Sequence, residues 1–394
     1  MGGIWSSKTG LLLIILFVVI YNEYLTYYIT IYTTCSWPII STTEEGRKKE
    51  TRVIILTDIH LLLSSQNEHW EWQMYRSFQS AVSLTRPHAV FFLDLIYLFH
   101  TEIFAVVLGG ICIVSGDLFD GSTISSQQDL INYANHFNEL FYVPKNVERH
   151  CIVGNHDIIS HHKINPVRLQ FFSQHFSRSL VDHIVIGGNH FVLLNSMTID
   201  CGDCLLRNVT KDQVEQLSQV FNCNRNLKAP CNIHSRPILL LHVPLYRDSD
   251  SKCANDYDVA PEPRKSERFR AGFHCLSNVS SHYILKKLKP RAIFDGHLHY
   301  SCRTWWPSPY NVYEWTLSSF SWRNIPQPAF LLVTVTPDDI QVNKCLLPNK
   351  KTIIASYVII ALGLLFFLSY RLVFSLLWHR KLCCSCQFVT RKWA

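Results

Sequence analysis

Charged residues are scarce in this sequence. Asp, Glu, Lys and Arg make up 17% of the 394 residues, whereas apolar residues make up 48%. Soluble proteins usually carry more charge than this, so the composition argues against an entirely soluble chain and predicts membrane segments. The net charge of +7 does not indicate nucleic-acid binding, because the last nineteen residues hold four Lys and Arg and no acid. Without that tail the charges nearly balance.

Two long apolar runs lie near the ends of the chain. No small-residue cleavage site follows the first run, which favours an uncleaved signal anchor over a removed signal peptide. The second run is long enough to span a bilayer and precedes a basic tail, as expected for a cytosolic end. We predict a cytosolic N-terminus (1–8), a transmembrane signal anchor (9–32), a stem (33–51), a lumenal domain (52–348), a transmembrane helix (352–375) and a cytosolic basic tail (376–394).

The cysteines and glycosylation motifs of the middle region also favour a lumenal location. Many of the fourteen cysteines are spread along this region, which is typical of an oxidising compartment. Cys201 and Cys204 resemble half of a zinc site, but no second half with matching spacing follows. We therefore interpret the cysteines as disulfides of unknown connectivity. Asn208 and Asn278 each begin an N-glycosylation sequon.

Short β-rich runs alternate with polar helical segments in the middle region, which predicts a layered α/β architecture. Strands are expected at 52–57, 183–187, 190–195, 237–243, 290–294 and 329–336, and helices at 68–84, 126–141 and 211–222. No internal repeat or low-complexity tract is visible in the sequence. The region is therefore treated as one domain.

Polar clusters follow several of these strands. They are Asp58-Ile59-His60, Gly116-Asp117 through Asp120, Gly154-Asn155-His156-Asp157, His242, and Asp295-Gly296-His297-Leu298-His299. A single cluster of this kind is more often structural than functional. Strand ends of α/β folds meet at one rim, however, so together the clusters predict one site. Oxygen and imidazole ligands without thiolate suit Mn²⁺, Fe or Zn²⁺ better than a soft metal.

Residues 52–345 resemble the calcineurin-like metallophosphoesterases. The resemblance lies in five blocks, which occur in the order Asp-x-His, Gly-Asp-x-x-Asp, Gly-Asn-His-Asp, His and Gly-His-x-His. The resemblance implies a phosphoric ester hydrolase with a four-layer αββα sandwich, here flanked by two transmembrane helices. It implies seven ligands for two metal ions: Asp58, His60 and His299 on one, Asn155, His242 and His297 on the other, and Asp117 between them. It gives His156 the role of general acid and Asp120 that of orienting it.

Residues 94–115, DLIYLFHTEIFAVVLGGICIVS, depart from the family pattern. In the family, the strand runs directly into Gly-Asp. If this run crossed a membrane, Asp58 and Asp117 would lie on opposite sides and could not share a metal site. Its uncharged part, from Ile103 to Ser115, is also too short to span a bilayer. We interpret the run as an apolar insertion on the same side, with either HAVFFL or GICIVS as the strand that leads to the metal-binding aspartate.

The chain contains, in this order, an anchor, the segments HVPLYRDSD and SFSWRN, a second span and a basic tail. In this arrangement it resembles the membrane-bound members of the family that remodel GPI anchors. This resemblance implies Mn²⁺-dependent removal of the ethanolamine-phosphate side branch from the second mannose, with GPI-anchored proteins as substrates. It also implies that the protein resides at ER exit sites, in the ER–Golgi intermediate compartment and in the Golgi, where it promotes ER-to-Golgi transport. The dibasic tail would bind a cargo receptor or the coat machinery.

Two alternatives stay open at this point. One is a lumenal phosphoesterase that acts on soluble nucleotides or other head groups. The other is a catalytically impaired membrane protein that binds cargo, for which the insertion at 94–115 is the main support. No nucleic-acid partner is expected under any of these readings.

Overall fold

Two β-sheets form the centre of the structure, which is a computed structural model. It describes residues 2–41, 43–47, 49–61, 68–94, 127–160, 163–176, 179–201, 204–222, 235–253 and 259–390. Within these residues the strands are β1 (Thr51–Leu56), β2 (Ala89–Phe92), β3 (Glu148–Cys151), β4 (Ile159–Ser160), β5 (Lys163–Ile164), β6 (Val181–Ile186), β7 (Asn189–Leu194), β8 (Ile238–Leu241), β9 (Ala292–Asp295), β10 (Cys302–Trp306), β11 (Val312–Thr316), β12 (Ala329–Val335) and β13 (Ile340–Leu346).

Helices precede, connect and follow these strands. They are α1 (Gly2–Ile20), α2 (Thr26–Thr34), α3 (Glu44–Arg47), α4 (Glu68–Thr85), α5 (Gln127–Leu140), α6 (Asn155–Ile158), α7 (Pro166–His175), α8 (Ser196–Ile199), α9 (Leu205–Phe221), α10 (Asn278–Leu288) and α11 (Lys350–Thr390). A π-helical turn, Tyr21–Leu25, joins α1 to α2, and a 3₁₀ turn covers Arg264–Ser266.

The strand order brings the predicted site segments together. The first sheet has the order β13-β12-β1-β2-β3, and its strands β1, β2 and β3 run parallel. The second sheet has the order β10-β11-β9-β8-β7-β6, and its strands β7, β8, β9 and β11 run parallel. Residues that follow parallel strands lie at the same edge of a sheet. The segments after β1, β2 and β3 therefore share one edge, and those after β8 and β9 share another.

Three apolar clusters separate the layers. The first lies between the first sheet and helices α4 and α5, and includes Phe78, Phe92 and Phe137. The second fills the space between the two sheets, and the third lies between the second sheet and helices α9 and α10. Successive residues of β1 alternate between clusters: Ile54 belongs to the first and Ile55 to the second, because side chains of a strand point to opposite faces. The prediction of a four-layer αββα sandwich is confirmed.

Helix α4 shows why the outer layers form. Its residues Met74, Phe78, Ala81 and Val82 are buried, and their spacing of three to four places them on one face of a helix. The ring of Phe78 lies 5.6 Å from that of Phe92 in β2. Aromatic pairs of this kind add about 0.5–1.5 kcal/mol beyond their buried area. The packing fixes β2 next to β1, which positions the segments that follow both strands.

Three disulfides lie within the described residues. Cys35 pairs with Cys345, Cys201 with Cys204, and Cys253 with Cys302. The interpretation of the cysteines as disulfides rather than as half of a zinc site is confirmed for Cys201 and Cys204, and the structure supplies the pairing that the sequence left open. The Cys35–Cys345 bridge joins residues 310 positions apart and ties the segment after α2 to β13. A cross-link over so long a loop strongly restricts the unfolded chain and thereby stabilises the fold.

The chain divides into two units. One comprises Met1–Glu23 with Pro348–Ala394, and the other Tyr24–Leu347. Two helical segments, Thr9–Thr34 and Lys350–Trp378, are long and apolar enough to cross a membrane, and they contain the predicted spans 9–32 and 352–375. Within the first unit, the amide of Asn22 donates to Ser356 Oγ at 2.7 Å, and the hydroxyl of Tyr357 donates to Glu23. Such polar contacts stabilise the pairing of apolar helices.

The predicted lumenal location of residues 52–348 can be tested by glycosylation. Asn208 in α9 and Asn278 in α10 are exposed, so both sequons should carry glycans if the domain folds in the ER lumen. We expect N-glycanase to increase the mobility of the wild-type chain on a denaturing gel. Asn208→Gln and Asn278→Gln should each remove one of the two glycans and so reduce this mobility change. The control Asn138→Gln should leave it unchanged. A wild-type chain without any shift would contradict the lumenal placement.

Candidate metal centre

Three side chains from distant parts of the sequence meet at the carboxyl end of β1. Asp58 and His60 follow β1, and His299 follows β9. The Nε2 atoms of His60 and His299 lie 3.0 Å apart. Asp58 Oδ1 lies 3.9 Å from His60 Nε2 and 3.7 Å from His299 Nε2. One carboxylate and two imidazoles therefore converge on one point, and this donor set fits a divalent cation such as Mn²⁺, Fe²⁺ or Zn²⁺.

A second group of potential ligands lies next to the first. His242 Nε2 lies 2.9 Å from Asn155 Oδ1 and 4.0 Å from Asp94 Oδ2. The ligand atoms of Asp58, Asp94 and His242 all lie within 4.8 Å of one another, and all three residues are buried. Asp58 belongs to both groups, so the two groups are adjacent. The arrangement can hold two metal ions side by side.

His297 is oriented towards the second group by two contacts. Its main-chain N–H donates to Asp58 Oδ2 at 3.0 Å, and its ring packs against that of His242 with centroids 5.1 Å apart. Its Nε2 lies 2.7 Å from the carbonyl oxygen of Phe273. In the tautomer that donates Nε2–H to this carbonyl, Nδ1 is the atom available to a metal. Outer hydrogen bonds of this kind commonly orient metal-binding histidines.

The backbone at the site adopts an uncommon conformation. Four of the potential ligands have positive φ angles: Asp58 (52°), His60 (49°), His297 (72°) and His299 (65°). Non-glycine residues adopt such angles rarely, and clusters of them are typical of functional sites. Hydrogen bonds hold the turns in place: Ser319 Oγ donates to the Asp58 carbonyl at 2.7 Å, and Ser319 N–H donates to the His299 carbonyl at 3.0 Å.

Two glycines of the site motifs are required by close packing. A Cβ atom on Gly154 would lie 1.8 Å from Asp94 Oδ1, and a Cβ atom on Gly296 would lie 2.0 Å from Thr57 Oγ1. Both distances are far below van der Waals contact. Glycine at these positions therefore allows the Asn155 segment to approach Asp94 and the His297 segment to approach β1.

Burial dominates the electrostatics of the site. It raises the pKa of Asp58 to about 7, against hydrogen bonds from Thr57 and the main chain of His297 that lower it. A nearby cation would favour the ionised carboxylate and so act against the effect of burial. The buried carboxylate is thus better matched to a bound cation than to an uncharged pocket.

A buried charged cluster lies at the end of β9, beside the candidate metal ligands. Burial raises the pKa of Asp295 well above its usual range, and the neighbouring Glu314 raises it further. Arg247 donates from Nε to Asp250 Oδ1 and from Nη1 to Thr316 Oγ1, both at 2.9 Å. Arg247 is therefore engaged with protein groups and links Asp250 to Thr316 at the end of β11.

The structure brings together most of the predicted site residues. These are Asp58, His60, Asn155, His242, His297 and His299. Asp117 and Asp120 lie outside the described residues, as does most of the run 94–115. The side chain of His156 is also outside the described part, although its backbone lies in α6.

Asp94 is a candidate ligand that the sequence analysis did not assign to the site. The interpretation of 94–115 as an insertion assigned it to extra sequence, but it is buried within reach of Asp58 and His242. The segment HAVFFL forms β2, in parallel with β1, so Asp94 follows its strand as Asp58 follows β1. That placement is the signal that could have identified it: a lone carboxylate directly after a buried strand.

We compared the sequence with those of known proteins. The sequence matches no protein family model. It is similar to the metallophosphoesterase 1 homolog of Drosophila melanogaster, with 33% identity over 361 residues that cover 88% of each chain. It is 34% identical over 372 residues to metallophosphoesterase 1 of Xenopus laevis, covering 87% of this chain and 84% of the relative. The Caenorhabditis elegans homolog is 33% identical over 373 residues, covering 92% and 91%.

Solved structures give weaker likenesses. A dimetal phosphatase from Danio rerio has a TM-score of 0.39 and 10% identity, covering 76% of this chain and 99% of that chain. Vps29 of Entamoeba histolytica in complex with zinc has a TM-score of 0.29 and 10% identity, covering 75% and 98%. Likenesses of this size assign no function, whereas the identity to the three relatives extends over nearly their whole length. The chain therefore belongs to the metallophosphoesterase 1 family.

Proposed function

We propose that this metal-dependent phosphoesterase removes the ethanolamine-phosphate side branch from the second mannose of GPI anchors, and thereby promotes ER-to-Golgi transport of GPI-anchored proteins. The observation that carries the hydrolytic chemistry is the convergence of Asp58, His60 and His299 beside Asn155 and His242. Family membership and the two apolar helices support a membrane-bound substrate, because a tethered enzyme stays near the surface from which a glycolipid projects.

The proposed metal ligands follow from the two groups of side chains. Asp58, His60 and His299 would hold one divalent cation, and Asn155, His242 and His297 would hold the other; we assign Mn²⁺ to both. The proximity of Asp94 to Asp58 and His242 supports giving Asp94 the bridging position that the motif assigned to Asp117. When bound, such a pair of ions supplies a hydroxide of lowered pKa and neutralises charge on the phosphate oxygens.

The remaining residues orient the substrate and the ligands. His156 directly follows Asn155 at the start of α6, so we give it the general-acid role at the leaving oxygen, with Asp120 orienting it. The carbonyl of Phe273 fixes the ring of His297, and Ser319 fixes the turn at Asp58. Asp58 and His242 are completely buried, which keeps bulk water away from the ligand atoms.

The location and partners are part of the same proposal. The domain 52–348 faces the lumen of the ER exit sites, the ER–Golgi intermediate compartment and the Golgi, where GPI-anchored proteins pass. The basic residues Arg391 and Lys392 near the end of the tail engage coat machinery or a cargo receptor.

Glycan analysis in cells that lack this activity tests the proposal. We expect the wild-type chain to remove the ethanolamine phosphate from the second mannose of a GPI-anchored reporter. Loss of a direct ligand in His299→Ala should reduce this by more than about 100-fold, since even outer ligand contacts are worth 10–100-fold. The control His282→Ala changes an exposed histidine in α10 and should retain activity. Mass spectrometry of the released glycan measures the outcome.

Two results would contradict the proposal. If His299→Ala cleaves the glycan as well as wild type, the site described above is not catalytic. If the purified chain hydrolyses soluble nucleotides as fast as GPI glycans, a general lumenal phosphoesterase replaces the GPI-specific enzyme.

A further inference from the structure

A basic segment lies beside the metal centre. Residues 261–274, PEPRKSERFRAGFH, here called the basic lip, contain four cationic side chains, Arg264, Lys265, Arg268 and Arg270, and two acidic ones, Glu262 and Glu267. All three arginines are exposed. Glu262 accepts a hydrogen bond from Ser266 Oγ at 3.0 Å within the lip itself. The segment therefore presents a net positive charge to solvent.

Direct contacts place the lip against the segment that carries the metal ligands. The carbonyl oxygen of Phe273 lies 2.7 Å from His297 Nε2. Arg264 Nη2 donates to the carbonyl of Leu298 at 3.4 Å, and its guanidinium lies 4.8 Å from the ring centroid of Tyr300. The lip therefore borders the second group of ligands.

The lip is held in place at several points. Phe269 N–H donates to the Asp248 carbonyl at 2.7 Å, and the guanidinium of Arg247 lies 5.5 Å from the Phe269 ring. Gly272, with φ of +76°, makes the turn that returns the chain, and its N–H donates to the Cys275 carbonyl at 2.7 Å. A preorganised loop loses little conformational entropy when it binds a ligand.

Two of the arginines are available to a ligand. Among the described residues, no carboxylate lies within ion-pair distance of Arg268 or Arg270. The pKa of His274 is lowered by burial, and Arg264 and Arg270 add to this lowering against the opposing effect of Glu267. The positive charge of Arg264 and Arg270 therefore reaches His274, within the lip.

We infer that the basic lip binds a second phosphate group close to the phosphoester that is hydrolysed. The inference rests on the proposed phosphoesterase function and narrows the substrate class to compounds in which two phosphates lie near each other. Arginine suits this role because its planar guanidinium can donate two parallel hydrogen bonds to one phosphate. The second phosphate belongs either to the substrate itself or to an anionic lipid head group beside it.

Steady-state kinetics on two matched substrates tests the inference. The full chain in detergent micelles is given synthetic mannose phosphodiesters that are identical except for a second phosphate on the adjoining sugar. Arg268→Ala/Arg270→Ala should raise KM at least about tenfold for the diphosphorylated substrate, because the charged hydrogen bonds to its second phosphate are lost. KM for the monophosphorylated substrate, kcat and metal content should stay within about twofold.

Control variants separate the lip from general charge. Lys145→Ala/Lys286→Ala removes the same charge from exposed positions elsewhere and should change neither KM. Arg268→Lys/Arg270→Lys keeps the charge but not the paired donors, and should give an intermediate KM for the diphosphorylated substrate.

A lipid arm identifies the source of the phosphate. If the phosphate is a lipid head group, the alanine variant loses activity only in nanodiscs that contain phosphatidylserine, compared with phosphatidylcholine alone. No effect in either medium, or an equal effect on both synthetic substrates, would overturn the inference. Failure of the wild-type chain to cleave GPI glycans would instead refute the proposed substrate, while the ratio between the synthetic substrates still reports on the lip.

Discussion

Asp94→Asn is expected to lower the metal content of the purified chain and to slow phosphodiester hydrolysis by more than about 100-fold, beyond the 10–100-fold cost of losing an outer contact. The reason is that Asp94 lies within reach of both Asp58 and His242, at the junction of the two ligand groups. A neutral amide cannot bridge two cations as a carboxylate does. Elemental analysis of the purified chain and hydrolysis of a synthetic diester measure the two effects.

The parallel variant Asp117→Asn sharpens this result. If Asp94 occupies the bridging position, Asp117→Asn retains metal and activity close to those of wild type. If Asp117 occupies it, as the Gly-Asp motif predicts, Asp117→Asn loses metal and activity, and Asp94→Asn retains both. Circular dichroism of both variants verifies that the fold is intact, so a difference between them reports on the metal centre.

Gly154→Ala is expected to weaken metal binding by about 10–100-fold, the range seen when contacts that orient a ligand are lost. The added Cβ would lie 1.8 Å from Asp94 Oδ1, so either the carboxylate or the Asn155 segment must move. Isothermal titration with Mn²⁺ measures the affinity. The control Gly363→Ala adds a Cβ that meets nothing within 4 Å. Equal affinities for both variants would show that Asp94 and Asn155 need not lie together for metal binding.

The sequence predicts the site better than the connections around it. Asp58, His60, His242 and His297 are recognisable because they follow short apolar strands, and Asn155 because it follows the apolar residues Cys151 to Val153; such strand ends meet at one edge. The layers are predictable for a related reason: alternate residues of β1, such as Ile54 and Ile55, belong to different apolar clusters.

Asp94 escapes prediction because the apolar run that follows it hides the motif. In the sequence, the Gly-Asp pair stands at Asp117, and Asp94 reads as the first residue of extra sequence. The pairing of β2 with β1 is what places Asp94, two residues after β2, beside Asp58. The local signal, a carboxylate after a buried strand, does not decide between HAVFFL and GICIVS, because that choice depends on which segment pairs with β1.

Long-range connections are equally hidden. Cys35 and Cys345 are 310 positions apart, and many other pairings were possible from the sequence. The basic lip has no sequence motif, and Phe273 lies 24 positions from His297. The lip lies beside the metal centre because the chain after β8 folds back towards His297. The spacing of residues in the sequence does not predict this path. Edge strands such as β10 (Cys302–Trp306) are short and aromatic, so they lack the uniform apolar pattern of the central strands.

The central claim is that side chains after four different strands hold a pair of metal ions. An experimental structure of the full chain purified with Mn²⁺ tests it most directly. The account predicts two ions about 3.5–4 Å apart, one bound by Asp58, His60 and His299 and the other by Asn155, His242 and His297. A structure with an empty pocket, or with Asp58 and His297 too far apart to share a metal centre, would contradict it.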